Sequence, residues 1–544
     1  MTPVHDWASS DERRAFQFFQ YITAPCLSGG VDGAFWSVLV LQMCQSELAV
    51  RHAVLAVSTL HESMVQAATA TPYLNTKNRC SFALQQYNRA IACLLDHMRA
   101  IDARPLVPLL TCVLFVTLEF IQSKDKESLL HLGQGRQILS QIGRKTTIET
   151  QGHEIDLIKK HLVPIYTRLN LTSLMFGCES TEIPTSLKTL TEVPMVFETI
   201  DDVRYSLYDL MDECLRFAKK SHVAMIEEIV PDQMRAFEQE QDRLFRKLAK
   251  FKVAFSLYRS TTPRNALAGS IALIQIHIHT TFIWISTALS RHETIFDDHV
   301  DTFSTIIPLA IEFVETRALS PHTTQLPTDS AAPTPDMRRF SDMFTFEMHI
   351  IAPLYFVAAK CRHPMIRRAA LDILRRNPTR RENLWRADVM AAIAKRTMRL
   401  EEKHLGQPNT DSHPQTQTSL PPNPSLSPFD FGSNGQVPNL LDAHSSSIFG
   451  PDLSQMEDDP TLPYDPIEDL AADFSFSPSN ASSLEDFGGP PPDSPFDIPE
   501  RFRVHESIIG PHNKADGTSW VMLFRKMGGL KGEWDVVTEY VTVT

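Results

Sequence analysis

Ser9 to Glu62 reads SSDERRAFQFFQYITAPCLSGGVDGAFWSVLVLQMCQSELAVRHAVLAVSTLHE, and its apolar residues recur at the spacing of a helix face, with little of the alternation of a strand. Ser9 and Glu12 have capping-box spacing, in which each side chain satisfies an N–H that a helix start leaves free. Phe16 and Phe19 then fall on one face of the helix that follows. Pro25 to Gly30 interrupts the pattern, since proline lacks an N–H and glycine costs backbone entropy. Helical spacing returns over Phe35 to Gln45 and Glu47 to Gln66.

The same period marks Ser81 to Arg99, Val107 to Gln122, Lys126 to Ile142, Ile155 to Leu169, Val203 to His222, Asp232 to Phe255, Ala266 to Arg291 and Asp298 to Arg317. Breaks are expected at Pro72, Pro105, Gly143, Pro184 and Pro263. So many consecutive apolar stripes must bury one another, which makes residues 1–405 an all-α, multi-helical domain. Trp36 and Trp385 lie in apolar patterns and should be largely buried. Pro321, Pro327, Pro333 and Pro335 among Ser, Thr and Ala predict a flexible loop over 319–336, after which helices resume from Phe340 to about His404. Two apolar runs, Leu106 to Ile121 and Ile271 to Ile285, are broken by polar residues and are not expected to span a membrane.

Charge divides the 544 residues unevenly. Residues 406–497 contain no Lys or Arg and 15 carboxylates, so a net charge of −13 leaves the rest of the chain at +2. This Pro- and Ser-rich acidic segment, 406–498, cannot bury enough apolar surface to offset the entropy of ordering it, and is expected to be disordered. Beyond Pro499, alternating runs at Phe502–His505, Trp520–Phe524 and Trp534–Val543 predict short strands over 499–544, the last two forming a hairpin about Gly528, Gly529 and Gly532.

Several stretches together resemble the regulatory region of the fungal zinc-cluster transcription factors. FQFFQYITAPCLSGGVDGAFWSVLVLQMCQSELAVRHAVLAVSTLHE (Phe16–Glu62) is similar to the family's opening helices. LLTCVLFVTLEFIQSKDKESLLHLGQGRQIL (Leu109–Leu139) and HLVPIYTRLNLTSLMFG (His161–Gly177) resemble the helices that follow. IIAPLYFVAAKCRHPMIRRAALDILRRNPTRRENLWRADVMAAIAKRTMRLEE (Ile350–Glu402) resembles the late signature, with Asn383 where Gly is more usual. RFRVHES and LFRKMGGLKGEWDVVTEYV look like the family's C-terminal end. The resemblance implies a nuclear transcription regulator with a helical regulatory region. It also leads one to expect an N-terminal six-cysteine cluster holding two zinc ions, and this chain begins where that module should already have ended. A truncated product of a full DNA-binding factor is the alternative.

The eight cysteines are scattered through mostly apolar stretches with no C-x-x-C pair, so they read as reduced core residues and no metal site is expected. His61-Glu62 opens like a metalloprotease helix, but Val65 stands where the second histidine must be. His277 and His279, two apart, face different sides of a helix. Gly133 and Gly135 have G-x-G spacing, yet Ile138 replaces the third glycine and the context is helical, against a dinucleotide site. The basic cluster Arg362, Arg367, Arg368, Arg375, Arg376, Arg380, Arg381, Arg386, Lys395 and Arg396 could meet phosphates or act as a nuclear localisation signal. Ile366, Ala370, Ile373 and Leu374 argue instead for the exposed face of an amphipathic helix.

No catalytic constellation or cofactor motif emerges; a helical enzyme or ligand-binding protein is the remaining alternative. In the acidic segment, Phe474, Phe476 and Phe487 alternate with carboxylates, a pattern that keeps apolar groups extended and available to a coactivator groove. The expected partners are therefore a coactivator or a DNA-bound transcription factor, with a homo- or hetero-dimer left open, and neither a membrane nor sequence-specific DNA contact by this chain.

Overall fold

In a computed structural model of the chain, which describes residues 9–28, 31–68, 76–100, 104–145, 152–176, 182–188, 192–226, 229–263, 267–319, 344–403, 498–513, 518–526 and 534–542, the Ser9 hydroxyl accepts the Glu12 N–H at 3.2 Å and opens α1 (Ser10–Phe18). The helix does not break at Pro25. A π-helical turn over Phe19–Thr23 shifts the register, with the Ala24 N–H reaching back to the Phe19 carbonyl. Pro25 consequently falls in the first turn of α2 (Ala24–Ser28), where its missing N–H costs least.

A second π-helical turn, Phe35–Leu39, leads into α3 (Val40–Ser46) and the long α4 (Leu48–Ala68). Against α4 pack α5 (Thr76–Arg99) and α6 (Leu106–Gln122), and α6 in turn packs on α7 (Asp125–Lys145). Every residue of α6 from Leu106 to Ile121 is buried, which explains its near-continuous apolar run. Trp36 is fully buried beside Phe35 and Phe346, its ring edge-on to both. Trp385 is buried as expected and meets Phe176 with centroids 4.5 Å apart.

The chain continues through α8 (His153–Leu157) and α9 (Val163–Met175) to α10 (Ile200–Ile226), α11 (Pro231–Thr261), α12 (Ala268–Thr287) and α13 (Val300–Leu319). By length and composition α12 could cross a membrane, contrary to the reading of its polar residues. Its setting accounts for the composition: α10, α11 and α13 pack around it, and residues on all its sides are buried.

Three helices complete the helical part: α14 (Ile351–Lys360), α15 (Pro364–Arg376) and α16 (Ala387–Glu402). Between them runs a small sheet in which β1 (Phe344–Thr345) pairs parallel to β2 (Arg381–Glu382) and β2 antiparallel to β3 (Trp385–Arg386). The turn from β2 to β3 puts Asn383 at φ 48°, the left-handed region that Gly and Asn occupy most easily. At the C-terminus β5 (Thr518–Lys526) and β6 (Trp534–Thr542) form the expected hairpin, and β4 (Val504–Asn513) joins it on the β5 edge. The helices and this sheet belong to one compact unit. The loop expected at 319–336, beyond Leu319, and the acidic segment through residue 497 lie outside the described residues.

Gly143 lies inside α7, where a Cβ would overlap the Pro184 ring, so it marks a close approach and not a break. Gly133 and Gly135 also lie within α7, with opposite surroundings. A Cβ on Gly135 would run into the Tyr166 ring, whose hydroxyl donates to the Leu109 carbonyl at 3.0 Å, while a Cβ on Gly133 meets nothing nearer than Arg136 at 4.0 Å. Gly133→Ala should therefore stabilise the protein by about 0.5–1 kcal/mol, through helix propensity. Gly135→Ala should destabilise it by about 1–3 kcal/mol through overpacking. Denaturant titration of the two variants checks the opposite signs.

Candidate functional site

Arg362 and Arg367, expected on the outside of an amphipathic helix, are fully buried, and Arg380 and Arg381 are buried as well. The inward stripe of α15 is Pro364, Arg367, Ala370, Leu371 and Leu374, so a guanidinium sits among its core positions. The last turn of α16 supplies the counter-charges. Glu401 accepts from Arg362 Nη2 at 2.9 Å and from Arg367 Nη2 at 2.8 Å, and Glu402 accepts from Arg368 Nη2 at 2.7 Å. On its other side Arg362 meets Glu293 at 2.9 Å, which also takes Lys360 Nζ at 2.7 Å. Burial would raise the Glu401 carboxyl, but Arg362 and Arg367 outweigh it and bring the group from its ordinary 4.5 down to about 2. Glu293 is likewise held low by Lys360 and Arg362 against the effect of burial.

The RRENLW turn is a second set of buried polar contacts. The Glu382 carboxylate accepts the backbone N–H groups of His349 (2.9 Å), Ile350 (3.3 Å) and Ile351 (3.0 Å), capping the N-terminus of α14 where free N–H groups and the helix dipole favour an anion. Arg380 Nε donates to the same carboxylate at 2.9 Å. Arg381 reaches the junction of α6 and α7, donating to the Ser123 hydroxyl at 2.7 Å and pairing with Asp125. Asn383 fixes the turn with its own side chain, which accepts the Leu384 N–H at 2.6 Å.

The chain returns to the first cluster at Ile498. A short 3₁₀ turn, Glu500–Phe502, precedes β4, and both backbone groups of Val504 are used: its N–H donates to Glu401 at 2.8 Å and its carbonyl accepts from Arg362 at 3.2 Å. Lys360 Nζ donates to the His505 carbonyl at 2.6 Å. Arg503 forks onto Asp297 at 2.9 and 2.6 Å, and Glu500 accepts the N–H groups of Glu293 and Thr294 at 2.8 and 2.9 Å. Beside this junction is a cavity of about 180 Å³ walled by Leu215, Trp284, Tyr355, Phe356, Trp385 and Ser507, with Lys219, His505 and Glu506 also in the wall. The Tyr355 and Ser507 hydroxyls bond across it at 2.7 Å.

The other candidates resolve into packing. His61 is buried, with Nδ1 2.9 Å from the Thr23 hydroxyl, and burial lowers its pKa to about 3. His277 is buried with Nε2 3.2 Å from the His349 carbonyl, while His279 is half-buried and also lowered by burial. Among the described residues no group of His, Cys, Asp and Glu is arranged to hold a metal, and the described cysteines are free thiols. Phe474, Phe476 and Phe487 lie outside the described residues. The buried Arg–Glu cluster escaped the sequence reading. Its signal was there in the spacing: Arg367 lies three, four and seven residues before Ala370, Leu371 and Leu374, on the apolar stripe itself.

Residues 14–168 match the fungal specific transcription factor domain. The chain is 22% identical over 468 residues to the aspercryptin biosynthesis cluster-specific transcription regulator of Emericella nidulans, an overlap of 73% of this chain and 74% of the relative. No solved structure matches it.

The junction carries a pH signature. Glu401 and Glu500 both have folded-state pKa values of about 2, Glu500 through its bonds to His505 and two backbone N–H groups against the effect of burial. A carboxyl held below its unfolded value stabilises the fold above that value and loses the contribution as pH falls through the folded pKa. Melting temperature should therefore drop between about pH 4.5 and 2. Glu500→Gln should lower it at pH 7 and make the acid drop shallower; parallel melts of the two proteins across this range provide the check.

Proposed function

We propose, on the premise that this chain is a transcription regulator of the fungal zinc-cluster type, that it acts in the nucleus through contacts with other proteins. The observation that carries this reading is the fate of the basic cluster. Guanidinium groups bound inside the fold by Glu401, Glu402 and Glu382 are not available to DNA phosphates, and Arg376, on the exposed end of α15, is paired with Asp372 at 2.9 Å. None of the 544 residues forms a six-cysteine cluster, the device by which zinc fixes a base-reading helix. Sequence selection would then be supplied by a DNA-bound partner. The catalytic alternative has no comparable support from the residues.

Within this reading the acidic segment is the contact for a coactivator, with Phe474, Phe476 and Phe487 as the side chains that enter its groove. The cavity beside the α16 junction supports a second element, control by a small effector. At about 180 Å³ it exceeds the roughly 150 Å³ of an engineered apolar cavity known to take benzene. A thermal-shift screen in which no small aromatic compound stabilises the protein would remove that element alone.

Two measurements test the main reading. Residues 406–497 fused to a heterologous DNA-binding domain should activate a reporter, and replacing Phe474, Phe476 and Phe487 with Ala should remove most of the activity at unchanged charge. Equal activity from the substituted segment would show that these rings are not the contacts. The purified chain should contain no stoichiometric zinc and bind DNA only on the order of 10⁻⁴ to 10⁻⁶ M at physiological salt, with affinity falling steeply as salt rises. Sequence-selective binding at nanomolar concentration would overturn the proposal.

A further inference from the structure

We infer that the helical domain carries a peptide-recognition groove whose occupant is the chain's own segment Ile498–Ser507, held tightly enough that the connection through 404–497 is not needed to keep it in place. The segment is recognised along its length and by several chemistries at once. Ile498 is an apolar anchor, 1% exposed. Glu500 sits on the N–H groups of Glu293 and Thr294, at the start of the 3₁₀ turn Glu293–His299. Arg503, 1% exposed, forks onto Asp297 and folds back to the Ile498 carbonyl at 2.8 Å, so that its guanidinium closes the segment on itself as well as on the groove. The Val504 side chain is buried while its backbone takes both Glu401 and Arg362. Lys360 then accepts the segment's departure into β4 by donating to the His505 carbonyl.

These contacts join residues more than a hundred positions apart, Glu401 to Val504 being separated by 103. Their strength does not come from the covalent path. Withdrawing the segment would leave Asp297 without its fork, and Glu401, Glu293, Arg362 and Lys360 short of partners in a buried setting, which is the costly way to break a charge pair. Beyond the groove, β4 is bonded along β5 and β5 along β6, and both β5 and β6 touch α16, so the segment brings its own sheet to the surface that receives it. The groove thus reads a peptide turned through one 3₁₀ turn, with a carboxylate at its start, a guanidinium three residues on and an apolar residue next to it, preceded by an aliphatic anchor. The inference stands whether or not the intervening acidic segment activates transcription.

The test uses the full chain with a protease site inserted near position 440. After complete cleavage, native size-exclusion chromatography should return both pieces in one peak. A separate peak of the C-terminal piece overturns the inference. Arg503→Asp, cleaved in the same way, should weaken the association of the two pieces by at least about tenfold, read as the rise in the concentration below which they separate on dilution, since truncating one member of a buried bonded charge pair costs well over the 1.4 kcal/mol of a tenfold change in Kd. Adding Asp297→Arg should restore retention by exchanging the charges. That double variant also covers the case in which Arg503→Asp alone fails to fold, because it must then recover folding and retention together. Full retention by the cleaved Arg503→Asp protein, or no recovery in the double variant, would show that this pair is not what the groove recognises.

Discussion

A carboxylate with no exposure to water, Glu401, stands between two guanidinium groups that have none either, and the later half of the fold is arranged around keeping that trio satisfied. Moving such groups out of water costs several kcal/mol each, and their attraction repays it only if every lone pair and N–H finds a partner. The partners come from elements distant in sequence, although Arg362 Nε is buried without a hydrogen bond and Arg367 Nη1 has only an ion-pair contact to Glu402 at 3.6 Å. Arg362 lies in the turn between α14 and α15, Arg367 within α15, Glu293 ahead of α13, and the Val504 N–H at the mouth of β4. Apolar packing could bring these elements together in several registers. The charge cluster admits few, because a one-turn slip of α16 would strand Glu401 away from both arginines. Specificity of this kind, more than net stability, is what a buried ion network best explains.

The same logic recurs at Glu382, which holds three backbone N–H groups of the turn into α14 and one guanidinium. In both places an acidic side chain organises what hydrophobic burial alone would leave loosely defined. The protein thus has an apolar helical body, the α4, α6, α10 and α12 cores, held by two polar clasps formed by residues late in the sequence.

Much of the fold could be read from the chain. Periodicity located most of the helices from α4 to α13, because a buried stripe has a spacing that is a local property, while α6 and α12, buried on all sides, show as near-continuous apolar runs. The capping of α1 by Ser9 was visible for the same reason, since it depends on neighbouring residues alone. What stayed hidden was non-local. Arg367 lies on the apolar stripe of its helix, but nothing in that spacing points to its partner Glu401, 34 positions away. Pro25 reads as a break unless a π-helical turn precedes it, and Gly143 reads as one unless Pro184 is known to press against it. The candidate junction was least legible of all, because it is assembled from backbone groups, whose availability no residue type records.

The setting of α12 has a bearing on how the protein is made. A helix of 20 residues with the composition of a membrane anchor leaves the ribosome after α10 and α11 but before α13. Its early neighbours can shield only part of its circumference, and α13 must arrive to cover the rest. For the interval between, the nascent chain presents the kind of apolar surface that targeting factors and chaperones bind. Docking of α12 onto its predecessors shortens that interval, so substitutions in α10 that slow it would lower the yield of folded protein before they altered the finished fold.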